Sequence, residues 1–127
     1  MLNNKGQSLI IFIIIIPIII LIMILVMDIG NLTYEKQELD SINKIVLNYG
    51  LDNINNLDVV NEMYALAKNN NPKANYNIKY NNQEFNITSK YYVKGVFTKL
   101  INIDGYLAKS TYKGYLKNNK HIIERIN

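Results

Sequence analysis

The stretch LIIFIIIIPIIILIMILVM, Leu9 to Met27, decides how the rest of this chain is read. Nineteen apolar side chains follow one another without a break, and eleven of them are isoleucine. As a helix rising about 1.5 Å per residue, the run is roughly 28 Å long, close to the thickness of a bilayer's hydrocarbon core. The remainder is polar and rich in Asn and Tyr, with no cysteine and no tryptophan. A cleaved secretory signal would carry a shorter apolar stretch, roughly 7–15 residues, ending in small side chains. Met27-Asp28-Ile29-Gly30 offers no such exit. A buried core helix needs protein on every side, and a chain of 127 residues cannot wrap one that is apolar all round. A membrane anchor meets both requirements.

The flanks set an orientation. Lys5 and the terminal amine precede the run, whereas Asp28, Glu35, Glu38 and Asp40 follow it against the single Lys36. The positive-inside tendency then places the N-terminus in the cytoplasm and residues from about 28 onward outside the cytoplasmic membrane. Pro17 removes one intrahelical hydrogen bond and favours a bend near residues 13 to 17. It is either a proline of the kind membrane helices tolerate or a fixed bend that shapes packing against neighbours.

Lys5-Gly6-Gln7-Ser8 leading into the apolar helix, Phe12 six residues after Gly6, Pro17 eleven after it, and Asp28 with Gly30 at the membrane exit form a set of landmarks. The set resembles the N-terminal signature of TadE/TadG-like proteins, the minor pilins and pseudopilins of the Tad (Flp) type IVb pilus assembly system. The resemblance covers about 26 residues. It implies a single-pass, non-enzymatic structural subunit, with Phe12 and Pro17 packing the membrane helix. Its partners would be the lipid bilayer, other pilus-assembly subunits and similar pseudopilins, met through the transmembrane and stem helices. It also raises processing by a prepilin-type peptidase between Gly6 and Gln7. Processed members of the family carry glutamate five residues after the glycine, and this chain has Ile11 there. A carboxylate able to pair with a new N-terminal amine is therefore absent, which argues for inefficient or absent cleavage.

Beyond Gly30, Leu32, Leu39 and Val46 fall seven apart, with Ile42 and Tyr49 on the same stripe. The pattern predicts a stem helix continuous with the span, from about 9 to 49, with Gly50 as its C-cap. A second helix is expected over 57–68, N-capped by Asn56 or Asp58 and stopped by Asn69-Asn70-Asn71-Pro72. The period then changes from 3.6 to 2. Tyr76, Ile78 and Tyr80, followed by Phe85, Ile87, Ser89 and Tyr91, read as a hairpin about Asn81-Asn82. A short helical patch (Val93, Val96, Phe97, Leu100, Ile101) and a third strand over 106–116 complete the pattern, which also resembles the C-terminal half of TadE-like ectodomains. The expected class is α+β and pilin-like: a long N-terminal transmembrane and stem helix, a second helix, and a small antiparallel sheet of about three strands. The expected divisions are 1–8 cytoplasmic, 9–27 transmembrane, 28–50 stem, and 51–127 an extracytoplasmic domain. With a small core and no disulfide, that domain depends on packing, and its exposed sheet edges invite pairing.

Charge is unevenly placed. Residues 28–72 hold three basic and seven acidic side chains, whereas residues 73–127 hold ten basic and three acidic. The basic distal half is either a solvated surface in an Asn/Lys/Ile/Tyr-rich composition or a face for an anionic partner; no specific nucleic acid is expected. Catalytic residues, a cofactor and a metal are not expected. The single histidine, His121, reads as part of a polar C-terminal tail, and the glycines form no phosphate-cradling loop. The rival to a structural pilus subunit is a membrane-tethered binding module whose basic ectodomain contacts an anionic envelope partner.

Overall fold

The computed structural model describes residues 4–126, so Met1 to Asn3 of the expected cytoplasmic segment and Asn127 of the expected domain lie outside it. One helix, α1 (Asn4–Asp52), runs without interruption through Pro17 and is followed by α2 (Val59–Asn70). Next come β1 (Asn75–Asn81), β2 (Glu84–Val93), the short α3 (Val96–Leu100), β3 (Tyr106–Lys117) and β4 (Lys120–Arg125). The class is α+β, as expected. The sheet has four strands, not three, in the order β1-β2-β3-β4, and every neighbouring pair is antiparallel.

The two halves of α1 live in different environments. From Leu9 to Met27 the side chains are exposed, except Ile24 and Leu25, which are half-buried. This half is long and apolar enough to cross a membrane. Further on, Leu39, Ile42, Asn43, Val46, Leu47, Gly50 and Leu51 are buried, a stripe of alternating steps of three and one. That stripe lies on the sheet's inner face, chiefly over β3 and β2.

The strands alternate as a one-sided sheet requires. Phe85, Ile87, Ser89 and Val93 of β2 face inward, as do Ala108, Ser110, Tyr112 and Gly114 of β3. Small residues where α1 crosses let the helix approach closely. A Cβ on Gly114 would stand 3.4 Å from Leu47 and Leu51, already in contact. Phe85, Leu47, Met63 and Ile87 are fully buried at the centre. Each contributes roughly 1.5–3 kcal/mol by leaving water.

Three boundaries differ from expectation. Gly50 does not cap α1; it lies inside the helix, where a Cβ would meet Met63 Sδ of α2 at 2.6 Å. Its lack of a side chain serves the approach of the two helices. Asp58 stands at the N-terminus of α2 but its side chain makes no cap bond; the Asn56 Oδ1 instead accepts from the Asp58 N–H at 3.0 Å. The first hairpin turns on Asn82-Gln83, one residue beyond the expected pair, with φ of 52° and 63°. Asn118-Asn119 repeats that two-residue geometry, at 53° and 63°, and closes the hairpin to β4.

Candidate functional site

The place where the apolar run ends is the most elaborately built part of the molecule. Asp28 is the first charged residue after the apolar run and is 1% exposed. Its carboxylate accepts from the backbone N–H groups of Val96 and Phe97, both at 2.9 Å, and from the Tyr106 hydroxyl at 3.3 Å. Two amides at the start of α3 thus find an acceptor 68 and 69 residues away in sequence. Gly95 is part of this fit, because a Cβ there would lie 2.3 Å from Asp28 Oδ2. Partial desolvation, then the Asp28 charge and hydrogen bond, raise the Tyr106 phenol above its ordinary range.

α3 is held at both ends despite its five residues. The Thr98 hydroxyl donates to the Gly95 carbonyl and accepts from the Gly95 N–H, both at 2.8 Å. At the far end Asn102 takes φ 57°, the Ile103 N–H reaches the Thr98 carbonyl at 3.0 Å, and the Asn102 N–H reaches Lys99 at 3.4 Å. These are the two bonds of a Schellman closure.

A second polar contact fixes α1 on the sheet. Asn43 is fully buried; its Nδ2 donates to the Ser110 carbonyl at 3.1 Å and to Ser110 Oγ at 2.9 Å, and its Oδ1 accepts from the Ser89 hydroxyl. The Ser110 hydroxyl donates in turn to Asp40, which also faces Arg125 of β4 at 3.7 Å. Ser89 and Ser110 are opposite one another in the β2–β3 register. Among the described residues, no buried side-chain polar atom lacks a partner.

The sheet edges are treated differently. On β1 the Ile78 N–H donates to the Tyr64 hydroxyl at 2.8 Å, and Lys68 Nζ reaches the Ala74 carbonyl at 2.8 Å, so α2 covers that edge. β4 is the other edge strand. His121 belongs to β4 and not to a free tail. Its Nε2 lies 2.9 Å from Asp52 Oδ1 and its Nδ1 2.9 Å from Asn48 Oδ1, tying the strand to the end of α1.

The open face of the sheet carries much of the distal positive charge. Lysines distant in sequence are brought together by register. Lys90 stands opposite Lys109, and Lys79 and Lys113 flank Asn86. Lys113 pairs with Glu124 at 3.4 Å; Lys90 and Lys109 line a shallow cleft with Asn75, Asn77 and Thr88. A cleft of about 490 Å³ near the end of the apolar run is lined by Asn31, Tyr34, Glu35, Lys73, Tyr91 and Lys94. There desolvation, then the neighbouring Glu38, raises the Glu35 carboxyl above its ordinary range, and Lys73 opposes them.

Of the residues singled out in the sequence, Gly6 and Gln7 lie in the first turns of α1, Gly6 half-buried and Gln7 exposed. Phe12 and Pro17 are on its bare apolar surface. Asp28 and Gly30 are both helical, but only Asp28 is drawn into the fold; a Cβ on Gly30 would meet nothing within 4 Å. The polar contact among Asn43, Ser89 and Ser110 goes beyond the sequence reading, which places Ser89 only on the alternating stripe of the first hairpin. Asn43 falls beside Ile42 on the apolar stripe, and the two serines at inward positions of alternating strands, which is where a sequence signal for them resides. No cluster of three His, Cys, Asp or Glu residues able to hold a metal occurs among the described residues. No protein-family model, curated protein or solved structure matches the chain.

Proposed function

We propose that this chain is a membrane-anchored, non-enzymatic pilin-like subunit that acts in assembling or anchoring a Tad-type pilus. The observation that carries the reading is the division of labour along α1. Nineteen apolar residues, all exposed but Ile24 and Leu25, continue without a linker into a half that forms the spine of a small α+β domain. Such a helix transmits the position of a membrane segment directly to an exterior domain, which suits a subunit that docks beside others through its span and stem. The spacing of Gly6, Phe12, Pro17 and Asp28 supports the same reading through its resemblance to TadE/TadG-like proteins. In this reading the N-terminus is cytoplasmic and the sheet lies outside.

A photo-crosslinking amino acid at Phe12, in the native host, tests the proposal. Adducts with other single-span subunits are expected, and protease added to spheroplasts should remove the domain while sparing the anchor. Adducts with lipid alone would overturn the pilus role, and protection of a C-terminal tag would overturn the orientation. The facing pair Lys90 and Lys109 favours a second reading, a tethered module for an anionic envelope polymer. In that case Lys90→Gln/Lys109→Gln abolishes retention on immobilised polyphosphate, and Phe12 yields no subunit adducts.

A further inference from the structure

α3 presents a contradiction in folding terms. Five residues do not sustain a helix alone, and this one is closed at its N-terminus by Asp28 and Thr98 and at its C-terminus by the Asn102 turn. Yet the segment so firmly built turns apolar side chains outward. Val96, Leu100, Ile101 and Ile103 are all exposed, Leu100 at 66%. Such a patch marks a contact surface.

Its location says with what. Asp28 is the residue at which the apolar run of α1 ends, so its bonds to the 96 and 97 amides hold α3 at the level where the span emerges. Ile24 and Leu25, alone in the span, are half-buried, and α3 contacts α1. Met27 and Ile29, on either side of Asp28, are exposed, so apolar surface flanks the point of attachment. Lys94 and Lys99 are exposed within the same segment and outnumber Asp104. Apolar side chains beside basic ones, at the height of the headgroups, are the composition of an interfacial membrane contact.

We propose that residues 96–103 form a second membrane contact, a foot that enters the headgroup–acyl boundary of the leaflet from which α1 emerges, with Lys94 and Lys99 among anionic headgroups. The inference rests on α1 being a membrane span. Asp28 is the positioning residue: it carries the foot to the bilayer surface and fixes the domain's height and rotation there.

The absence of tryptophan makes the test direct. Full-length chains carrying one tryptophan each, at Met23, Leu100 or Leu57, are reconstituted in phosphatidylcholine/phosphatidylglycerol vesicles containing lipids brominated at different depths. Met23→Trp should be quenched by deep bromines. Leu100→Trp should be blue-shifted and quenched best by bromines near the headgroup, and Leu57→Trp, at a fully exposed position, should be unquenched. Adding Asp28→Ala, or Gly95→Ala which pushes the carboxylate away from the opposite side, should lower the Leu100→Trp quenching at least several-fold. Quenching undiminished in both would overturn the positioning role. A Leu100→Trp signal as unquenched as Leu57→Trp, with Met23→Trp quenched, would remove the foot and leave the span. Blue-shifted but unquenched emission would mean that a second copy covers the patch, which also overturns the proposal. An unquenched Met23→Trp would remove the span itself.

Discussion

Asn43 offers the sharpest test of what fixes α1 on the sheet. Replacing it by leucine keeps a similar size and shape but makes the position apolar and deletes three hydrogen bonds, to the Ser110 carbonyl, Ser110 Oγ and the Ser89 hydroxyl. The Ser110 hydroxyl retains Asp40 as acceptor. The Ser89 hydroxyl, fully buried, loses its acceptor. A stranded buried donor costs about 1–3 kcal/mol, and each deleted bond about 1 kcal/mol net, whereas extra apolar burial returns part of this. A net loss of about 3 kcal/mol is expected for Asn43→Leu.

Ser89→Ala alone removes one bond and leaves the buried Asn43 Oδ1 facing a methyl group, for a loss of about 2 kcal/mol. The double variant strands neither group at that contact, so it should recover about 1–2 kcal/mol relative to the sum of the singles. The assay is thermal unfolding in detergent micelles followed by tyrosine near-UV circular dichroism, since the ten tyrosines lie outside the apolar run. For a domain of this size 1 kcal/mol shifts the midpoint by roughly 4–8 °C, so Asn43→Leu should fall by more than about 10 °C. Additivity within about 0.5 kcal/mol, or a neutral Asn43→Leu, would refute the claim that this contact is a coupled polar unit.

Three further outcomes are expected. Glu35 has its pKa raised in the fold, so ionising it costs the folded state; the cost is absent below the unfolded value of about 4.5 and fully present above the folded one. Glu35→Gln should therefore raise the melting midpoint at pH 7 by a few degrees and leave it unchanged at pH 4. The Tyr76 phenol is pushed up to about 12 by burial and the Glu38 charge, while its hydroxyl donates to the Asn71 carbonyl at 3.0 Å. Stability should thus hold below pH 10 and decline between pH 10 and about 12; Tyr76→Phe should flatten that decline while costing about 1 kcal/mol at neutral pH in urea titrations. In the pilin-like reading proposed above, processed members carry glutamate where this chain has Ile11, so N-terminal sequencing of membrane-extracted protein should begin at Met1 or Leu2, and a start at Gln7 would refute this.

The elements legible in the sequence were those with strong periodicity. The apolar run, the Leu39–Val46 stripe and the alternation about Phe85 and Ile87 correspond to α1 and the first hairpin within a few residues. β4 was hidden because its inward positions are His121, Ile123 and Arg125, two of them charged or ionisable types that break the alternating pattern. Their partners, Asp52, Asn48 and Asp40, lie on α1 and become neighbours only once the chain has folded. The Asp28 site was half legible. Asp28 was visible as the end of the apolar run, but its partners are backbone amides, which every residue except proline carries, so no side-chain pattern near Val96 announces them. Likewise Lys90 and Lys109 face each other through strand register, a relation that spacing along the chain does not express.

The two polar contacts of α1 also settle a question its apolar stripe leaves open. A helix packed by leucine, isoleucine and valine at 3.6-residue spacing can slide by about one turn and still bury apolar surface, since Leu39 would replace Asn43 and Asn43 would replace Leu47 at little geometric penalty. The polar groups forbid it. Such a slip would carry Asn43 into apolar surroundings, strand the Ser89 hydroxyl, and move Asp28 about 5–6 Å from the Val96 and Phe97 amides. Asp28 and Asn43 are fifteen residues apart, roughly 22 Å along the axis, and each meets a different part of the sheet's framework. Two fixed points at that separation define both the axial position and the rotation of α1. Hydrophobic burial thus supplies most of the adhesion between helix and sheet, while these few polar groups select one register from several that burial alone would accept. Because the same helix continues into the apolar segment without a linker, that register also determines which face of the domain lies beside the end of the apolar segment.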